Sequence, residues 1–466
     1  MLILNIDRNS TLPLTRQIYN QLRSLILTGV LKGSEKIPSS RELAADLDVS
    51  RIVVVEAYEL LMAEGFLEGK IGSGTFIATG AYLKNKPTPT TCQKPVHSNN
   101  QPRIKDYINF RSGIPALELF PRKKWAEISH RVCLDTPHSV LSYDSPEGRV
   151  ELRETIADYL SKTRGVIADP EQILITSGSV QGLVLTAQCL LNSNGCAVVE
   201  DPTNQDIRKI FTVSGGAVVP VSVDEYGIQT TQLPKKYKPN LIQVTPSHQF
   251  PIGGNLPIQR RIELIEYAAI IKSYIVEDDY DSEYRYEGPP ISSLQGLAPE
   301  LVIYLGTFSK ILFPALRIGY MIVPPKLVNK IRNSKRLSDM HTNSLNQLTL
   351  ARFMQEGYLQ RHIYKMKKIY QKRRDTLISI LKCRFEDQVT VIGQTTGLHL
   401  VADFKTIQFN DGIIKKALDK GVKIYPVEAH TIEKNNHTGK LIFGYGHLSE
   451  EQIEEGIKRL AGILRR

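Results

Sequence analysis

The stretch GTFSKILFPALRIGY, residues 306–320, contains a single lysine in a mostly apolar run. Lys310 stands close to two hydroxyl residues, Thr307 and Ser309, and an arginine follows at Arg317. A lysine amine is a nucleophile for a carbonyl carbon, whereas hydroxyl and guanidinium groups are donors that suit a phosphate. The run therefore predicts a site for a ligand that carries both a carbonyl group and a phosphate.

A strand-to-helix turn farther upstream is a candidate phosphate site. The apolar ILIT, residues 173–176, runs into SGSVQGL, in which Ser177, Gly178 and Ser179 would open a helix. The first N–H groups of a helix are free and the helix dipole is positive there, so an anion can bind. Such a turn is more often only a turn, and it becomes informative only together with other signals.

Carboxylates follow another apolar strand in YIVEDDYDSEYRY, residues 274–286. They fall at the carboxyl end of the strand, where open α/β sheets bind ligands. A solvated acidic loop is the simpler interpretation, and Lys310 is what weighs against it. Pyridoxal 5′-phosphate carries an aldehyde and a phosphate, its ring nitrogen needs a carboxylate partner, and its phenolic oxygen needs a donor. Asp278 and Tyr280 can supply these two groups.

The elements that must position these residues alternate along the chain. Short apolar runs such as QILIT, CAVVE, LIQVT, SYIVE and LVIYLG are separated by amphipathic stretches. This alternation predicts an α/β domain with a mostly parallel sheet covered by helices. Residues 79–106 are rich in Pro, Thr, Asn and Lys without periodicity, and they predict a flexible linker.

The residues before this linker predict a separate DNA-binding domain. Ser39 and Glu42 have the spacing of a capping box that opens a short helix, and Ser50 is a second cap for the next helix. Apolar segments on either side of residues 72–74 predict a β-hairpin. Together these elements predict a winged helix-turn-helix, whose second helix enters the major groove of double-stranded DNA.

Composition and charge limit the classes of protein to which this chain can belong. The 466-residue chain has a net charge of +11, yet residues 1–80 carry eight Lys/Arg and nine Asp/Glu, a net of −1. The basic excess lies downstream and includes residues 361–374, for which a solvated helix face is the simpler interpretation. No apolar run reaches the roughly 20 residues of a membrane span, and the first residues lack a secretory signal, so we expect no membrane association and a cytoplasmic location. The five scattered cysteines indicate neither a zinc site nor a disulfide framework, and we predict no metal.

Three motifs of the large domain, TSGSVQGL, EDDYDSEYRY and GTFSKILFPALRIGY, resemble fold-type I pyridoxal-phosphate aminotransferases. The first 78 residues resemble the winged-helix domain of GntR-type regulators. In this order the two domains are similar to the MocR/GabR family of transcription factors. The resemblance implies a DNA-binding domain over residues 1–78, the linker over 79–106, and an aminotransferase-like effector and dimerisation domain over 107–466.

The resemblance also implies roles for the residues at matching positions of the cofactor site. Lys310 would form the internal aldimine with the cofactor, Asp278 would bind the pyridine nitrogen, and Tyr280 would lie near the phenolic oxygen. His248 and Gln249 are implied neighbours of the ring. The residues implied to hold the phosphate, the last of them from the neighbouring subunit of a homodimer, are Ser179, the backbone of Val180, Ser309, Arg317 and Tyr143.

For the DNA-binding domain the resemblance implies contacts with phosphates or base edges of an operator. The implied residues, at the starts of two helices and around the wing, are Ser40, Arg41, Ser50, Arg51, Lys70, Ser73 and Thr75. Arg41 and Arg51 are the leading candidates, because two arginines at helix starts are harder to explain as ordinary surface charges than one.

Two departures from the aminotransferase pattern bear on activity. Asn204, in EDPTNQ, takes the place of a tyrosine that commonly stacks on the cofactor ring. Aminotransferases clamp the substrate carboxylate with an arginine near the C-terminus, but residues 434–448 contain no arginine. The nearest cations, Lys440 and His447, cannot form the same planar fork. Arg208 and Arg111 are alternative clamps elsewhere in the chain.

These features favour a pyridoxal-phosphate-dependent transcription regulator. It would sense a small amino compound, as an aldimine with the cofactor, or the cofactor itself. An active aminotransferase with an accessory DNA-binding domain is the alternative from another class. A metabolic enzyme whose first 78 residues mediate protein contacts is a third, less favoured interpretation.

Overall fold

The computed structural model describes residues 4–82 and 107–464, and the chain divides into two compact units, Met1–Arg103 and Ile104–Arg466. Most of the segment predicted as a linker, residues 79–106, lies outside the described residues, so the linker and the domain boundaries stay predictions. Among the described residues, no helix is both long and apolar enough to cross a membrane.

The small unit packs three helices against a two-stranded hairpin. Its elements are α1 (Leu14–Leu27), α2 (Ser40–Asp46), α3 (Arg51–Ala63), β1 (Leu67–Lys70) and β2 (Gly74–Ile77). Apolar side chains that recur at helical spacing, such as Ile18 of α1 and Val54 and Leu61 of α3, are completely buried in one core. Strands β1 and β2 pair antiparallel. The predicted winged helix-turn-helix is confirmed.

Local chemistry explains where the helix-turn-helix begins and turns. Glu42 N–H donates to Ser39 Oγ at 3.3 Å and Ser39 N–H donates to Glu42 Oε2 at 2.8 Å, which is the predicted capping box. Asp48 has a φ of 52°, the left-handed conformation that closes the turn between α2 and α3. Ser50 is the N-cap of α3 by position, but its side chain makes no capping hydrogen bond.

The large unit contains ten α-helices and fourteen strands among its described residues. The helices are α4 (Arg122–Asp135), α5 (Val150–Arg164), α6 (Ser179–Leu190), α7 (Gln205–Val213), α8 (Ile258–Ile271), α9 (Val328–Asp339), α10 (Ser344–Gln355), α11 (Tyr358–Phe385), α12 (Asp411–Asp419) and α13 (Glu450–Leu464). The strands are β3 (Ile108–Asn109), β4 (Ile173–Thr176), β5 (Cys196–Asp201), β6 (Ala217–Asp224), β7 (Gly227–Ile228), β8 (Leu241–Val244), β9 (Tyr274–Asp279), β10 (Val302–Thr307), β11 (Gly319–Ile322), β12 (Val389–Ile392), β13 (His399–Phe404), β14 (Val422–Lys423), β15 (Tyr425–Pro426) and β16 (Lys440–Gly444).

Eight strands form the main sheet, in the order β4-β11-β10-β9-β8-β5-β6-β7. The neighbours from β10 to β6 in this order pair in parallel, whereas β11 is antiparallel to both of its neighbours. All six residues of β10 are buried, as expected for a strand covered on both faces. The prediction of an α/β domain with a mostly parallel sheet is confirmed.

A second, antiparallel sheet follows in the order β12-β13-β16-β15, and α11 and α13 pack together beside it. Strands β3 and β14 form a separate parallel pair. In the main sheet, β4 and β10 run in the same direction, because both are antiparallel to β11. The carboxyl ends of β4, β9 and β10 therefore lie on one edge of the sheet, where Ser177, Asp278 and Lys310 are placed.

A substitution at Gly306 of β10 tests how tightly the residues near this edge of the sheet are packed. A Cβ atom at Gly306 would overlap the ring of Tyr320, which is buried in the core. We expect Gly306→Ala to lower the free energy of unfolding by about 1–3 kcal/mol, as overpacking does. Gly462→Ala is the control, because a Cβ there meets nothing within 4 Å, and it should not destabilise the protein. Urea denaturation checks both variants, and equal stability of the two would contradict the packing described here.

Candidate cofactor site and nucleic-acid interface

Lys310 lies three residues beyond the end of β10. Its Nζ donates a hydrogen bond to the Gly113 carbonyl at 2.8 Å. Burial lowers the pKa of Lys310, the carboxylates of Asp281 and Asp278 oppose that shift, and the charge of Arg111 adds to it. A lowered pKa increases the fraction of neutral amine, the form that attacks a carbonyl carbon.

Asp278 presents an unsatisfied carboxylate near the end of β9. Its Oδ1 is buried and has no hydrogen-bond partner among the described residues. Burial raises the pKa of Asp278 to about 7, the charge of Asp279 raises it further, and Lys310 opposes the shift. Because a buried polar atom without a partner is costly, this oxygen fits a ligand that brings a cationic N–H, such as a protonated ring nitrogen.

The adjacent Asp279, on the opposite side of the strand, is anchored through one carboxylate oxygen, Oδ2. Its carboxylate accepts hydrogen bonds from Arg164 Nε at 2.9 Å, from Ser282 Oγ at 2.9 Å and from the Tyr304 hydroxyl at 2.5 Å. Successive side chains of a strand point to opposite faces, so anchoring Asp279 also orients Asp278. Sequence reasoning did not identify this anchor, because Arg164 lies 115 residues away in the chain.

Tyr280 and His248 lie next to each other. The Tyr280 hydroxyl donates to the His248 carbonyl at 2.9 Å. His248 Nδ1 lies 2.9 Å from Asp281 Oδ1, and His248 Nε2 is buried without a partner among the described residues. This open nitrogen fits the predicted place of His248 beside a bound ring. The hydrogen bond of His248 to Asp281 was not anticipated, although Asp281 stands in the same motif as Asp278.

His248, Asp281 and His399 have donor atoms within 4.8 Å of one another, a spacing that also suits a metal ion. Their hydrogen bonds favour a different interpretation. Both carboxylate oxygens of Asp281 are engaged, because His248 Nδ1 lies 2.9 Å from Oδ1 and the Leu398 N–H donates to Oδ2 at 3.1 Å, and His399 Nε2 donates to the Pro251 carbonyl at 3.0 Å. Burial, together with the charge of His248, lowers the pKa of His399 to about 3. We therefore interpret the three residues as a packed cluster in which His248 bonds Asp281 and the tilted ring of His399 lies against the ring of His248.

The turn between β4 and α6 forms a cradle for an anion. Gly178 has a φ of 120°, and α6 begins directly after it at Ser179. A Cβ at Gly178 would lie 3.4 Å from Nη1 of Arg317, so this guanidinium faces the turn. The Arg317 guanidinium has no hydrogen-bond or ion-pair partner among the described residues. The positive end of α6 and a free guanidinium thus face the same point, as a phosphate requires.

The other predicted phosphate ligands differ in their placement. Ser309 N–H donates to Thr307 Oγ1 at 3.2 Å, which orders the turn before Lys310. Val180 lies in the first turn of α6, where its N–H is free of helix partners. Tyr143 is 83% exposed, so its predicted role at a neighbouring subunit's phosphate stays a prediction.

Asn204 and Lys440, which belong to the two departures from the aminotransferase pattern, both contact groups of the protein. Asn204 is the N-cap of α7 and accepts the Asp206 N–H at 3.0 Å, so its side chain serves the helix. Lys440 Nζ lies 3.1 Å from His437 Nδ1 and 3.9 Å from Asp403 Oδ2. Gln249, a predicted ring neighbour, is completely buried and bonds neighbouring protein groups.

The predicted DNA contacts cluster at the helix starts and the wing of the small unit. Arg41 and Arg51 are exposed, and Arg51 Nε donates to Ser40 Oγ at 3.3 Å. Ser50, Lys70 and Ser73 are exposed as well. A groove of about 560 Å³ runs between α2, α3 and the wing, and the polar residues that line it include Lys36, Ser39, Ser40, Ser73 and Thr75. The contacts with DNA themselves stay predictions.

The unpartnered Asp278 gives a pH-dependent signature in the cofactor-free protein. Its folded-state pKa of about 7 lies above the unfolded value of about 3.9, so the folded state binds more protons between these values. We expect the free energy of unfolding to fall as pH rises from about 4 to about 7, by at most about 1.4 kcal/mol per pH unit from this group. Asp278→Asn should remove that contribution. Parallel pH profiles of thermal stability for the two proteins would contradict the burial of an unpaired carboxyl.

Comparison with known proteins supports both units. Residues 105–460 match the family "Aminotransferase class I and II", and residues 14–77 match "Bacterial regulatory proteins, gntR family". The chain is similar to the uncharacterized HTH-type transcriptional regulator YhdI of Bacillus subtilis, with 36% identity over 98% of this chain and 96% of that protein. It is 32% identical to the probable rhizopine catabolism regulatory protein MocR of Rhizobium meliloti, over 98% of this chain and 95% of that protein.

Among solved structures, the kynurenine aminotransferase of Pyrococcus horikoshii, in complex with PMP, matches with a TM-score of 0.72. It is 30% identical and covers 77% of this chain and 91% of that chain. The aminotransferase family identifies pyridoxal 5′-phosphate as the cofactor of the large unit, and the gntR-family match identifies the small unit as a DNA-binding domain. The chain therefore belongs to the MocR-type transcriptional regulators, in which a GntR-type helix-turn-helix domain is joined to an aminotransferase class I and II domain.

Proposed function

We propose that this protein regulates transcription in response to a small amino compound, or to pyridoxal phosphate itself, bound at Lys310. The observation that carries the proposal is the presence in one chain of exposed arginines on a helix-turn-helix and of a lysine with a buried, unpaired carboxylate beside it. Relatives that match along the whole chain carry the names of regulators, which supports the same conclusion.

The cofactor site supports binding of an amine. Bound pyridoxal phosphate supplies an electrophilic aldehyde and an electron-withdrawing ring. Lys310 offers an amine of lowered pKa, Asp278 offers a carboxylate for the ring, and Arg317 offers a guanidinium for the phosphate. These residues support retention of the cofactor and reaction of its aldehyde with an amine, and they do not by themselves require turnover.

Regulation rather than catalysis is favoured by residues 434–448, which include β16. Aminotransferases carry there the arginine that clamps the substrate carboxylate, but this segment contains no arginine, and its Lys440 neighbours His437 and Asp403. Efficient proton abstraction needs a substrate held in one orientation, and a single ammonium group fixes orientation less well than a bidentate guanidinium. A ligand that only binds, without reacting, does not need its orientation to be fixed in this way.

We further propose that the regulator is a cytoplasmic homodimer. Tyr143 and the apolar residues Leu141, Leu337 and Met340 are exposed, and exposed apolar side chains that form one patch commonly mark an interface. Two linked DNA-binding domains would bind an operator with two half-sites more tightly than either alone. A ligand can alter operator binding only if it binds two arrangements of the dimer with different affinity.

Lys310→Ala tests the cofactor part of this proposal. We expect the visible absorbance of the lysine-bound cofactor to disappear in this variant, because the amine that bonds the aldehyde is gone. Lys420→Ala, which removes an exposed lysine of the same unit, is the control and should keep the absorbance. An unchanged visible spectrum in Lys310→Ala would refute the assignment of this lysine.

Arg41→Ala and Arg51→Ala test the DNA-binding part. Loss of a good contact with a base edge costs about 1–3 kcal/mol, so operator affinity should fall about 5- to 100-fold while the cofactor absorbance is unchanged. Arg23→Ala is the control, because that guanidinium lies beside Glu64 and Phe66. Footprinting and titration of an operator fragment measure the effect. Wild-type affinity in both variants would show that other residues bind the DNA.

A further inference from the structure

The neighbourhood of Lys310 contains an arginine, Arg111, to which the cofactor roles described above assign nothing. We propose that Arg111 binds a carboxylate of the amino compound that the large unit senses, so that the effector is an amino acid rather than a simple amine. This inference rests on the proposed sensing function and specifies its ligand class.

The backbone around Arg111 is fixed by two strands of the C-terminal part of the chain. Phe110 N–H donates to the Lys423 carbonyl at 3.1 Å, and Gly444 N–H donates to the Phe110 carbonyl at 2.9 Å. A Cβ at Gly444 would overlap the Arg111 carbonyl, so the strand and this segment are in close contact. Arg111 N–H also donates to Asn109 Oδ1 at 3.2 Å. The Cα of Arg111 is therefore held in place.

The same segment reaches Lys310 two residues later. The Gly113 carbonyl accepts the hydrogen bond of Lys310 Nζ at 2.8 Å, and a Cβ at Gly113 would lie 2.8 Å from that nitrogen. Gly113 has a φ of 71°, which also favours glycine there. Arg111 thus starts from a backbone position adjacent to the reactive amine. The electrostatic effect of Arg111 on the pKa of Lys310 agrees with this short separation.

The guanidinium of Arg111 is available for a ligand. The side chain is exposed, and it has no hydrogen-bond or ion-pair partner among the described residues. Arg317 faces the start of α6, where a phosphate is expected, and Arg164 is paired with Asp279. Arg111 is therefore the arginine near Lys310 that neither the phosphate nor a buried carboxylate requires.

Local charge explains why such a cation is needed. Asp278 and Asp281 both act electrostatically on Lys310, and their carboxylates would repel an anionic group that entered beside it. A guanidinium can offset this repulsion and donate hydrogen bonds to a carboxylate. Because the Arg111 side chain is exposed, this contact supports binding rather than the fixed orientation that turnover needs. A simple amine would need no such group.

Two rival cations are less suitably placed. Lys440 and Gly444 are at opposite ends of β16, about 13 Å apart at roughly 3.3 Å per residue, and Gly444 is the end that contacts Arg111. Arg208 lies on α7, a helix that packs against α6 and β6. Neither makes a contact that brings it to Lys310 or Gly113.

The test compares a carboxylate with its neutral, isosteric amide in the full-length, cofactor-loaded protein. The probes are L-alanine with L-alaninamide, and 5-aminopentanoate with 5-aminopentanamide. Binding is followed by calorimetry and by the change in visible absorbance. The wild-type protein should prefer the carboxylate of at least one pair, and Arg111→Gln should reduce that preference about 10- to 100-fold. Arg111→Lys should retain part of it.

Arg208→Ala is the matched control and should leave the preference unchanged. Arg111→Gln must keep the cofactor absorbance and circular dichroism of the wild-type protein, which shows that it is folded and loaded. An unchanged preference in Arg111→Gln, loss of the preference in Arg208→Ala, or no preference in the wild-type protein for any pair would each overturn the proposal. Failure of the sensing function is distinguishable, because operator affinity would then ignore these ligands while the Arg111-dependent preference remained.

Discussion

A buried ion pair between Arg164, at the end of α5, and Asp279, at the end of β9, fixes the geometry on which the cofactor site depends. The Arg164 side chain is 5% exposed, and it also bonds the Ser247 hydroxyl and the Ile291 carbonyl. Burial by itself would lower the pKa of Arg164, but the carboxylate of Asp279 holds it above its ordinary value. Removing one partner of such a pair typically costs about 3–5 kcal/mol, because the other charge is left buried.

This ion pair connects the segments that surround the cofactor. It holds the carboxyl end of β9, which carries Asp278 on the opposite face, and through Ser247 it also holds the loop that carries His248. One carboxylate of β9 is therefore satisfied by the protein, whereas its neighbour keeps a buried oxygen without a partner. Asp279 makes the end of β9 rigid, and Asp278 offers a hydrogen-bond acceptor to a ligand. A site with both properties is preorganised for a cofactor.

The parts of the fold that could be predicted from the sequence depend on local patterns. The capping box at Ser39 fixed the start of α2, and the apolar alternation after residue 107 indicated the parallel sheet. Lys310 was recognisable because its hydroxyl and arginine neighbours are close in the chain. Interactions between distant segments were not predictable: Arg164 lies 115 residues from Asp279, and His399 lies 151 residues from His248 in the chain.

Asn204 illustrates a second limit of prediction from the sequence. Its type indicated the loss of an aromatic ring, but only the structure shows that its side chain caps α7. Arg111 is a similar case. The sequence marks it, together with Arg208, only as an alternative clamp, and the structure distinguishes the two, because Gly113, two residues after Arg111, accepts the hydrogen bond of Lys310.

The central claim is that ligand binding at Lys310 and operator binding by the helix-turn-helix domain are coupled. The most direct measurement titrates the full-length protein with pyridoxal phosphate and then with amino compounds, and records visible absorbance, operator occupancy and keto-acid formation on the same sample. Coupling predicts that operator affinity changes over the ligand range in which the absorbance changes, without turnover at the roughly 1–1,000 s⁻¹ typical of enzymes. Keto-acid formation at such rates, with operator occupancy indifferent to cofactor and amines, would contradict the account and favour an aminotransferase with an accessory DNA-binding domain.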